Sequence, residues 1–300
     1  MGALTVMTWN VENLFRPAQA TDAYRRKVDY LARIIATVRP DALAVQEIGD
    51  PGAMADLVAA LGDGWHAALS DHPDGRGIRV GVLAPHPVAV EAQIVEFGPT
   101  GLPEVPDVDG GTLTAMGRGA VQVRVGDGPR VVTAHLKSKL LTFPQGRRAP
   151  RDEDERARGA AYALLRRAAE AVAVRVHLNA VMDGVPTVLC GDLNDGPDAV
   201  TTTLLGGPED ADPRRPDKGD RVRLYNLATL LPAGRAYSRI YRGRGELIDH
   251  ILVSRELRLR VTGVDSLVDD IGSITASLAD RRDAIVPDHA PVVARFAASG

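Results

Sequence analysis

The sequence predicts an α/β fold in which strands and helices alternate within a single domain spanning residues 1–300. Short apolar runs bounded by Gly, Pro, Asp or Asn are typical of strands, and such runs recur along the whole chain. Helix-like stretches separate several of these runs, and neither a repeat nor a linker divides the sequence. Strands and helices interleaved in this way favour one α/β domain over two independent domains.

The strands are predicted from apolar runs of mostly four to eight residues. One of them, AVQVRV, alternates apolar and polar residues as a half-buried strand does. The others are nearly continuous apolar segments that end at a turn-forming or polar residue. The predicted strands are Leu4–Trp9, Ala42–Gln46, Gly81–Leu83, Ala120–Val125, Val131–Ala134, Thr187–Cys190, Ile248–Val253 and Val292–Phe296.

Three stretches between these runs predict helices. Lys27–Val38 has apolar residues at helical spacing and stops before Pro40. Ala53–Leu61 is a second helix, which Gly62 ends, and Arg156–Leu178 is a long, Ala-rich amphipathic one. Two further stretches rich in charge, Gly and Pro predict loops. These are Gly98–Gly119 and Gly206–Gly219.

Composition narrows the class of protein. Apolar residues make up 45% and charged residues 25% of the chain, and the formal net charge is -3. This slightly negative net charge argues against indiscriminate binding to nucleic acid, which requires a strongly basic surface. The single cysteine, Cys190, excludes a disulfide within the chain. Neither a signal peptide nor a membrane span is seen, so we expect a soluble, cytoplasmic monomer.

Polar side chains cluster where the apolar runs end. In α/β folds, strand ends on one side of a sheet commonly converge on a site. Taken singly, an Asp or Asn in such a place is usually a turn residue, but six clusters together favour a functional site. The clusters are Asn10 with Glu12, Gln46 with Glu47, His135, Asp192 with Asn194, Asp288 with His289, and, inside a run, Asp249 with His250.

The chemical types in these clusters agree with one another. Carboxylates and Asn amide oxygens are hard ligands that suit Mg²⁺ or Mn²⁺, whereas the chain lacks the Cys pairs and His spacing of a zinc site. A histidine can bind a phosphate, and a carboxylate behind it, for which Asp249 is a candidate, holds it oriented. Asp192 could deprotonate water. This inventory suits metal-assisted attack of water on phosphorus.

The ordered motifs WNVEN, QE, HLKSK, GDLND, IDHILVS and DHAPV resemble those of the endonuclease/exonuclease/phosphatase superfamily. That superfamily includes pancreatic-type deoxyribonucleases, apurinic-site endonucleases, inositol-polyphosphate 5-phosphatases and bacterial sphingomyelinases. The matching motifs extend from residue 5 to residue 296. The resemblance implies a four-layered α/β sandwich, with two mixed β-sheets packed face to face, helices outside, and the site at one edge.

The resemblance also implies a divalent cation, Mg²⁺ or Mn²⁺. It places Asn10 and Glu47 at the metal, with Glu47 as a direct ligand, and Asp288 beside the metal, directly or through water. Glu12 is either an acid that supports this site or a residue without a role in it.

The remaining roles implied by the resemblance concern catalysis and the phosphate. Asp192 orients or deprotonates the attacking water, and Asn194 binds a phosphate oxygen. His289 contacts the scissile phosphate and pairs with Asp249. His135 takes the place of the family's second histidine.

One further residue, Arg118, resembles a family arginine that approaches substrate phosphate. The chain departs from the family pattern in two places. No carboxylate lies near Gly77–Leu83 to orient His135, as a glutamate does in deoxyribonucleases. Ser138 stands where apurinic-site enzymes carry an asparagine, which argues against specificity for abasic sites.

The substrate class stays open at the level of sequence. The family motifs and the basic stretch Lys137–Arg151 favour a nuclease that acts on DNA or RNA, although such a stretch can equally be a solvated loop. The net charge of -3 and the aromatic content of 4% favour a phosphatase or phosphodiesterase of a small molecule. A binding module without catalytic activity is the third hypothesis, and the intact acids and histidines argue against it.

Overall fold

The computed structural model describes residues 2–98, 101–102, 104–147, 149–209, 211–274, 281 and 283–299. Its strands are β1 (Leu4–Leu14), β2 (Ala42–Ile48), β3 (His66–Leu69), β4 (Arg79–Ala84), β5 (Val88–Glu96), β6 (Val105–Pro106), β7 (Thr112–Leu113), β8 (Ala115–Val125), β9 (Arg130–His135), β10 (Thr187–Asp192), β11 (Tyr225–Asn226), β12 (Arg239–Tyr241), β13 (Arg244–Glu246), β14 (Asp249–Val253), β15 (Val261–Ser266) and β16 (Val292–Phe296).

The three longer α-helices begin at side-chain caps that lie outside their apolar periodicity. The α-helices are α1 (Asp22–Val38), α2 (Pro51–Leu61), α3 (Glu153–Val181), α4 (Val200–Gly206) and α5 (Arg255–Arg258). Thr21, Asp50 and Asp152 each accept a hydrogen bond from a backbone N–H in the first turn of α1, α2 and α3. These caps satisfy amides that have no partner within the helix, which is why the first three helices start earlier than apolar spacing predicts.

Two mixed six-stranded sheets form the centre of the described structure. The first has the strand order β15-β16-β1-β2-β4-β3 and the second β11-β14-β10-β9-β8-β5. Strands β1 and β2 run parallel, as do β9 and β10, while their other neighbours are antiparallel. The parallel pairs place the carboxyl ends of two central strands side by side in each sheet.

Three apolar clusters account for the layering. One fills the space between the sheets and includes Ala44 of β2 and Val188 of β10. A second packs Leu189, the next residue of β10, against α3 and α4, and a third packs Leu43 of β2 against α1 and α2. Successive side chains point to opposite faces of a strand, so both faces of the central strands are buried. The predicted four-layered sandwich is confirmed.

All eight predicted strands are present, in most cases with one or more additional residues at their ends. The strands that the sequence analysis missed are mostly edge strands, such as β3, β5 and β15, or short pieces such as β6, β7, β12 and β13. An edge strand has one side open to solvent and needs no continuous apolar run. The absence of such a run explains why periodicity did not identify them.

The two predicted loops are only partly loops. Within the described part of Gly98–Gly119, β6 and β7 form a small antiparallel pair, and β8 begins at Ala115. Gly206 is the last residue of α4, and the other described residues of Gly206–Gly219 are largely irregular. Among the helices that the structure describes, none combines the length and apolar character needed to cross a membrane.

Candidate active site

Three of the predicted side chains form a row across neighbouring strands of the second sheet. Asp192 on β10 lies in register with His135 on β9 and with Asp249 on β14. By strand alternation the three share a face with Val188 and Cys190, which pack against the first sheet. The row therefore lies at one end of the layer between the two sheets.

Gly191, which precedes Asp192 in the GDLND motif, lies where two backbones approach each other closely. Its φ is +148°, and a Cβ atom there would come within 2.0 Å of the carbonyl oxygen of Ala134. A larger residue would push β10 away from β9. Glycine therefore permits the pairing that holds Asp192 beside His135.

Asn10, near the end of the regular part of β1, connects the two sheets. Its Nδ2 donates to Asp192 Oδ2 at 3.0 Å and lies 3.3 Å from Glu47 Oε1. Its Oδ1 accepts a hydrogen bond from the backbone N–H of Glu12 at 2.9 Å. The amide nitrogen of Asn10, and not its oxygen, thus faces the two carboxylates.

Glu47 lies at a β-bulge. The register between β2 and β4 shifts between Gln46 and Ile48, and Glu47 between them has a φ of 67°. Bulges next to functional sites redirect side chains, and a non-glycine residue with positive φ is a strained conformation that surrounding contacts must hold. Here the backbone N–H of Asn13 donates to Glu47 Oε2 at 2.9 Å, which fixes the carboxylate beside Asn10.

His289 is held from both its ring and its backbone. Its Nδ1 lies 2.7 Å from Asp249 Oδ2, and Ser238 Oγ donates to the same oxygen at 2.6 Å. The indole Nε1 of Trp9 donates to the backbone oxygen of His289 at 2.9 Å. The ring Nε2 therefore points to the row, 3.9 Å from Asp192 Oδ2.

The acids around His289 decide its charge. Burial alone would lower the pKa of His289, but the negative charges of Asp249 and Asp288, the hydrogen bond to Asp249 and the charge of Asp192 together raise it to about 10. Burial, followed by the charge of Asp249, raises the pKa of Asp192 to about 7. At neutral pH the site thus holds a positively charged imidazole next to an acid that can gain or lose a proton.

His135 behaves differently from His289. Its Nε2 lies 3.3 Å from Asp192 Oδ2, while its buried Nδ1 has no hydrogen-bond partner among the described residues. Burial, and then the positive charges of Arg118 and His289, hold the pKa of His135 well below its ordinary value. The ring is therefore neutral at neutral pH, and among the described residues no group orients it through Nδ1.

Asn194 follows β10 in a left-handed conformation, with φ of 54°. Its backbone N–H donates to Asp192 Oδ1 at 2.9 Å, and its Nδ2 donates to the backbone oxygen of Leu136 at 2.9 Å. An amide nitrogen carries two protons. One N–H and the side-chain oxygen of Asn194 have no hydrogen-bond partner among the described residues and could bind a ligand.

Asp288 is half-buried between the ring of His289 and a basic side chain. Its Oδ1 lies 4.0 Å from His289 Nε2, and its Oδ2 lies 3.9 Å from Arg239 Nε. Burial lowers the pKa of the nearby Lys27. The negative charges of Glu12, Glu47 and Asp288 act in the opposite direction and raise it in part. The charges of these three carboxylates thus act on one buried ammonium group.

Arg118 lies close enough to the row for its charge to lower the pKa of His135. Its Nε donates to Asp74 Oδ2 at 2.9 Å, and both side chains are largely buried. Burial raises the pKa of Asp74, but Arg118 and the backbone N–H groups of Ile78 and Arg76 outweigh it and lower that pKa. Arg118 is therefore a positioned, paired charge and not a free arginine at the end of a loop.

The basic stretch Lys137–Arg151 makes most of its contacts within the protein. Lys137 Nζ donates to the backbone oxygens of Ser138 and Leu140. Lys139 pairs with Asp195 at 3.0 Å, and both Arg147 and Arg151 pair with Glu155. Arg148 lies outside the described residues. The described charges of this stretch already have protein partners, which favours the interpretation of a structured loop.

Three residues near the site gave little or no signal in the sequence. Ser238 binds Asp249 from the loop before β12, Asp74 binds Arg118, and Arg281 pairs with Glu12 at 2.6 Å. The partners of these pairs lie 11, 44 and 269 positions apart in the chain, beyond the reach of helix or strand periodicity. His250, predicted to lie on the opposite face from Asp249, indeed contacts the backbone oxygen of Asp195 instead of the row.

A comparison with known families decides the wider assignment. A model of the "Endonuclease/Exonuclease/phosphatase family" matches residues 7–277. The chain belongs to this family. Its members are phosphoester hydrolases, including nucleases and phosphatases, and they generally use divalent metals. The family assignment made from the motifs is thus confirmed, and the chain is a phosphoester hydrolase.

Solved structures of endonuclease/exonuclease/phosphatase proteins share the fold at low sequence identity. Truncated TDP2 from Caenorhabditis elegans is 16% identical, with a TM-score of 0.57 over 98% of this chain and 97% of that one. The human Nocturnin catalytic domain with bound sulfate is 16% identical, with a TM-score of 0.56 over 99% and 95%. The 3′ phosphatase NExo from Neisseria, bound to a product DNA hairpin, is 18% identical, with a TM-score of 0.55 over 98% and 99%. No curated protein matches the sequence.

Proposed function

We propose that this family member is a divalent-metal-dependent phosphodiesterase that cleaves DNA or RNA as an endonuclease, by attack of water on phosphorus. The observation that carries the proposal is the convergence of Asp192, His289 and the Glu47–Asn10 pair at one end of the layer between the sheets. An acid with a pKa of about 7 and a positively charged histidine meet there. This combination fits general-base activation of water beside a developing negative charge.

The roles follow from the contacts. Asp192, ionised above its pKa of about 7, accepts a proton from the attacking water as the water oxygen bonds to phosphorus. The bond from phosphorus to the leaving oxygen breaks, and that oxygen takes a proton from solvent. His289, held charged by Asp249, directs its Nε2–H toward the oxygens of the phosphate and stabilises their added negative charge. Asn194 offers one N–H to a phosphate oxygen. Neutral His135 contacts Asp192 and contributes a hydrogen bond without a net charge.

The metal would be held by Glu47 with Asp288, and Asn10 would orient the Glu47 carboxylate. The donors are oxygens of the kind that Mg²⁺ and Mn²⁺ prefer, and two N–H donors hold the Glu47 carboxylate in place. When bound, such a cation polarises a phosphoryl oxygen and lowers the pKa of bound water. Ligand atoms of Asp192, Asp249 and His289 also lie within 4.8 Å of one another. Because His289 is positively charged, we assign these three residues to a hydrogen-bonded group and not to a second metal site.

Activity on nucleic acid is the part of the proposal that a substrate panel tests. Supercoiled plasmid, abasic duplex, bis-p-nitrophenyl phosphate and common phosphomonoesters are incubated with the wild type and the His289→Ala variant, with Mg²⁺, Mn²⁺ or EDTA. We expect metal-dependent nicking of plasmid by the wild type. Absence of nicking together with turnover of a small phosphate ester would reject the nuclease.

A phosphatase or phosphodiesterase of a small molecule is the second candidate function. The specific observation in its favour is that the described basic side chains of Lys137–Arg151 already have protein partners. A nucleic-acid-binding protein that makes many phosphate contacts loses affinity steeply with salt. A KM that is nearly independent of salt between 50 and about 200 mM would therefore favour the small substrate.

We also propose that residues 1–300 form a single domain and act as a cytoplasmic monomer. Support for the single domain comes from β16, near the end of the chain, which pairs with β1 at its beginning. Unfolding transitions that coincide when followed by two probes would support the single domain. The elution volume in size-exclusion chromatography tests the monomer, and cell fractionation tests the cytoplasmic location.

A further inference from the structure

Glu12 is a buried acid next to the site that no proposed catalytic step uses. Its side chain is only 5% exposed, and Arg281 binds it through two nitrogens, Nε to Oε1 at 2.6 Å and Nη2 to Oε2 at 2.7 Å. Paired hydrogen bonds of this kind fix the orientation of both groups. The contact joins β1 to a residue 269 positions later in the chain.

The same carboxylate also binds the backbone that precedes His289. The N–H of Asp288 donates to Glu12 Oε2 at 3.0 Å, and Arg281 Nη2 also donates to the backbone oxygen of Val286 at 2.9 Å. Glu12 and Arg281 together thus hold the short segment that carries Asp288 and His289.

The backbone of Glu12 connects to the other half of the site. Its N–H donates to Asn10 Oδ1 at 2.9 Å, which turns the Asn10 amide nitrogen toward Glu47. Its carbonyl oxygen accepts a hydrogen bond from the buried Lys27 Nζ. One residue therefore contacts the side chain of Asn10 and the backbone of Asp288 simultaneously.

The conformation and burial of Glu12 are costly for folding alone. Its φ is 50°, in the left-handed region that residues other than glycine rarely adopt. A buried ion pair is often no more stable than apolar residues of the same volume. Strained backbone and buried charge near an active site are typical of groups that hold a geometry needed for function.

We propose that Glu12 and Arg281 form a clasp that positions Asp288 and His289 relative to Asn10 and Glu47. The expected effect on kcat rests on the proposed hydrolysis of a phosphodiester. The expected effect on the backbone of Asp288 does not. Glu12 and Arg281 are positioning residues: they touch the residues of the site and not the substrate.

The test uses Glu12→Gln and Arg281→Met in the full-length protein, with Arg281→Lys as the conservative variant. Arg223→Met is the matched control, because Arg223 is likewise an arginine paired with a carboxylate, Asp217 at 3.0 Å, but away from the site. Amide hydrogen exchange of Asp288 reports the clasp directly. The values of kcat and KM for bis-p-nitrophenyl phosphate, measured with saturating Mn²⁺, report its effect on catalysis.

We expect exchange at the Asp288 amide to accelerate at least about tenfold in both clasp variants. We expect kcat to fall about 10- to 100-fold, with KM changed less than about threefold, because displacement of a catalytic group by about 1 Å has effects of this size. Arg281→Lys should recover part of kcat. Arg223→Met should change neither quantity, even if it lowers the melting temperature equally.

Unchanged exchange at Asp288 would overturn the clasp. So would accelerated exchange with an unchanged kcat, or kcat losses that Arg223→Met reproduces, because each would show a structural role only. If the wild type hydrolyses no phosphate ester, the proposed function fails. The exchange measurement then still decides whether Glu12 and Arg281 hold the Asp288 segment.

Discussion

The charge of His289 depends on Asp249, and replacing this one carboxylate makes the dependence measurable. The two side chains are buried and meet at 2.7 Å. Burial would lower the pKa of His289 from 6.5, yet the surrounding carboxylates, Asp249 foremost, raise it to about 10. The net difference corresponds to about 5 kcal/mol in favour of the charged ring.

Asp249→Asn removes the negative charge but keeps the size of the side chain. We expect the pKa of His289 to fall toward or below its ordinary value of 6.5, because burial then acts against fewer carboxylates. At pH 8 the ring becomes neutral, and kcat for bis-p-nitrophenyl phosphate should fall about a hundredfold. NMR titration of the ring Cε1–H, assigned by comparison with His289→Ala, measures the pKa, and initial rates measure kcat.

Ser238→Ala is the matched control, because it removes a 2.6 Å hydrogen bond to Asp249 and leaves the charge in place. In this variant His289 should stay charged at pH 8, and kcat should fall less than about tenfold. A His289 that still titrates near pH 10 in Asp249→Asn, where the wild-type pKa is about 10, would refute the reasoning.

The same pair makes a prediction about stability. Since the pKa of His289 is higher in the folded protein than the ordinary 6.5, its stabilisation is fully present below pH 6.5 and is lost as the pH rises through about 10. The melting temperature of the wild type should therefore exceed that of Asp249→Asn most near pH 6.5, and the difference should shrink toward pH 10. A difference in melting temperature that grows with pH would contradict the raised pKa of His289.

Four further outcomes are expected. His289→Ala should lower phosphodiesterase activity at least about a hundredfold, and a smaller loss would count against its role. EDTA should abolish activity, and added Mg²⁺ or Mn²⁺ should restore it; activity that survives chelation would argue against a metal-dependent reaction. Burial raises the pKa of Cys190 to about 12, so its thiol should react with Ellman's reagent at pH 8 only after denaturation. Gly191→Ala, whose Cβ would meet the oxygen of Ala134 at 2.0 Å, should lower the free energy of unfolding by more than about 3 kcal/mol, whereas Gly196→Ala, with nothing within 4 Å, should change it by less than about 0.5 kcal/mol. Urea denaturation measures both variants.

The sequence was most informative for the central strands and for the identity of the polar residues. Ala42–Gln46 and Thr187–Cys190 read as apolar runs because both of their faces are buried, one against the other sheet and one against helices. The edge strands β5 and β15 carry no such run, since solvent covers part of their surface. The motifs around Asp192 and His289 identified the family, because residue type and order are properties of the chain itself.

The contacts between the motifs were decided by the tertiary structure. Asp192 meets Asn10 across 182 positions, and Arg281 meets Glu12 across 269. A pairing of this kind depends on how the two sheets stack and on the direction that each strand takes at its end, and no local pattern encodes either.

Sequence alone determined the central strands, the three longer helices and which chemical groups are present, because local spacing and side-chain type act over a few residues. The folded protein decided the protonation states of those groups. His135 and His289 have the same side chain. Yet the structure leaves His135 neutral and His289 charged, because burial and neighbouring carboxylates set the pKa of each group.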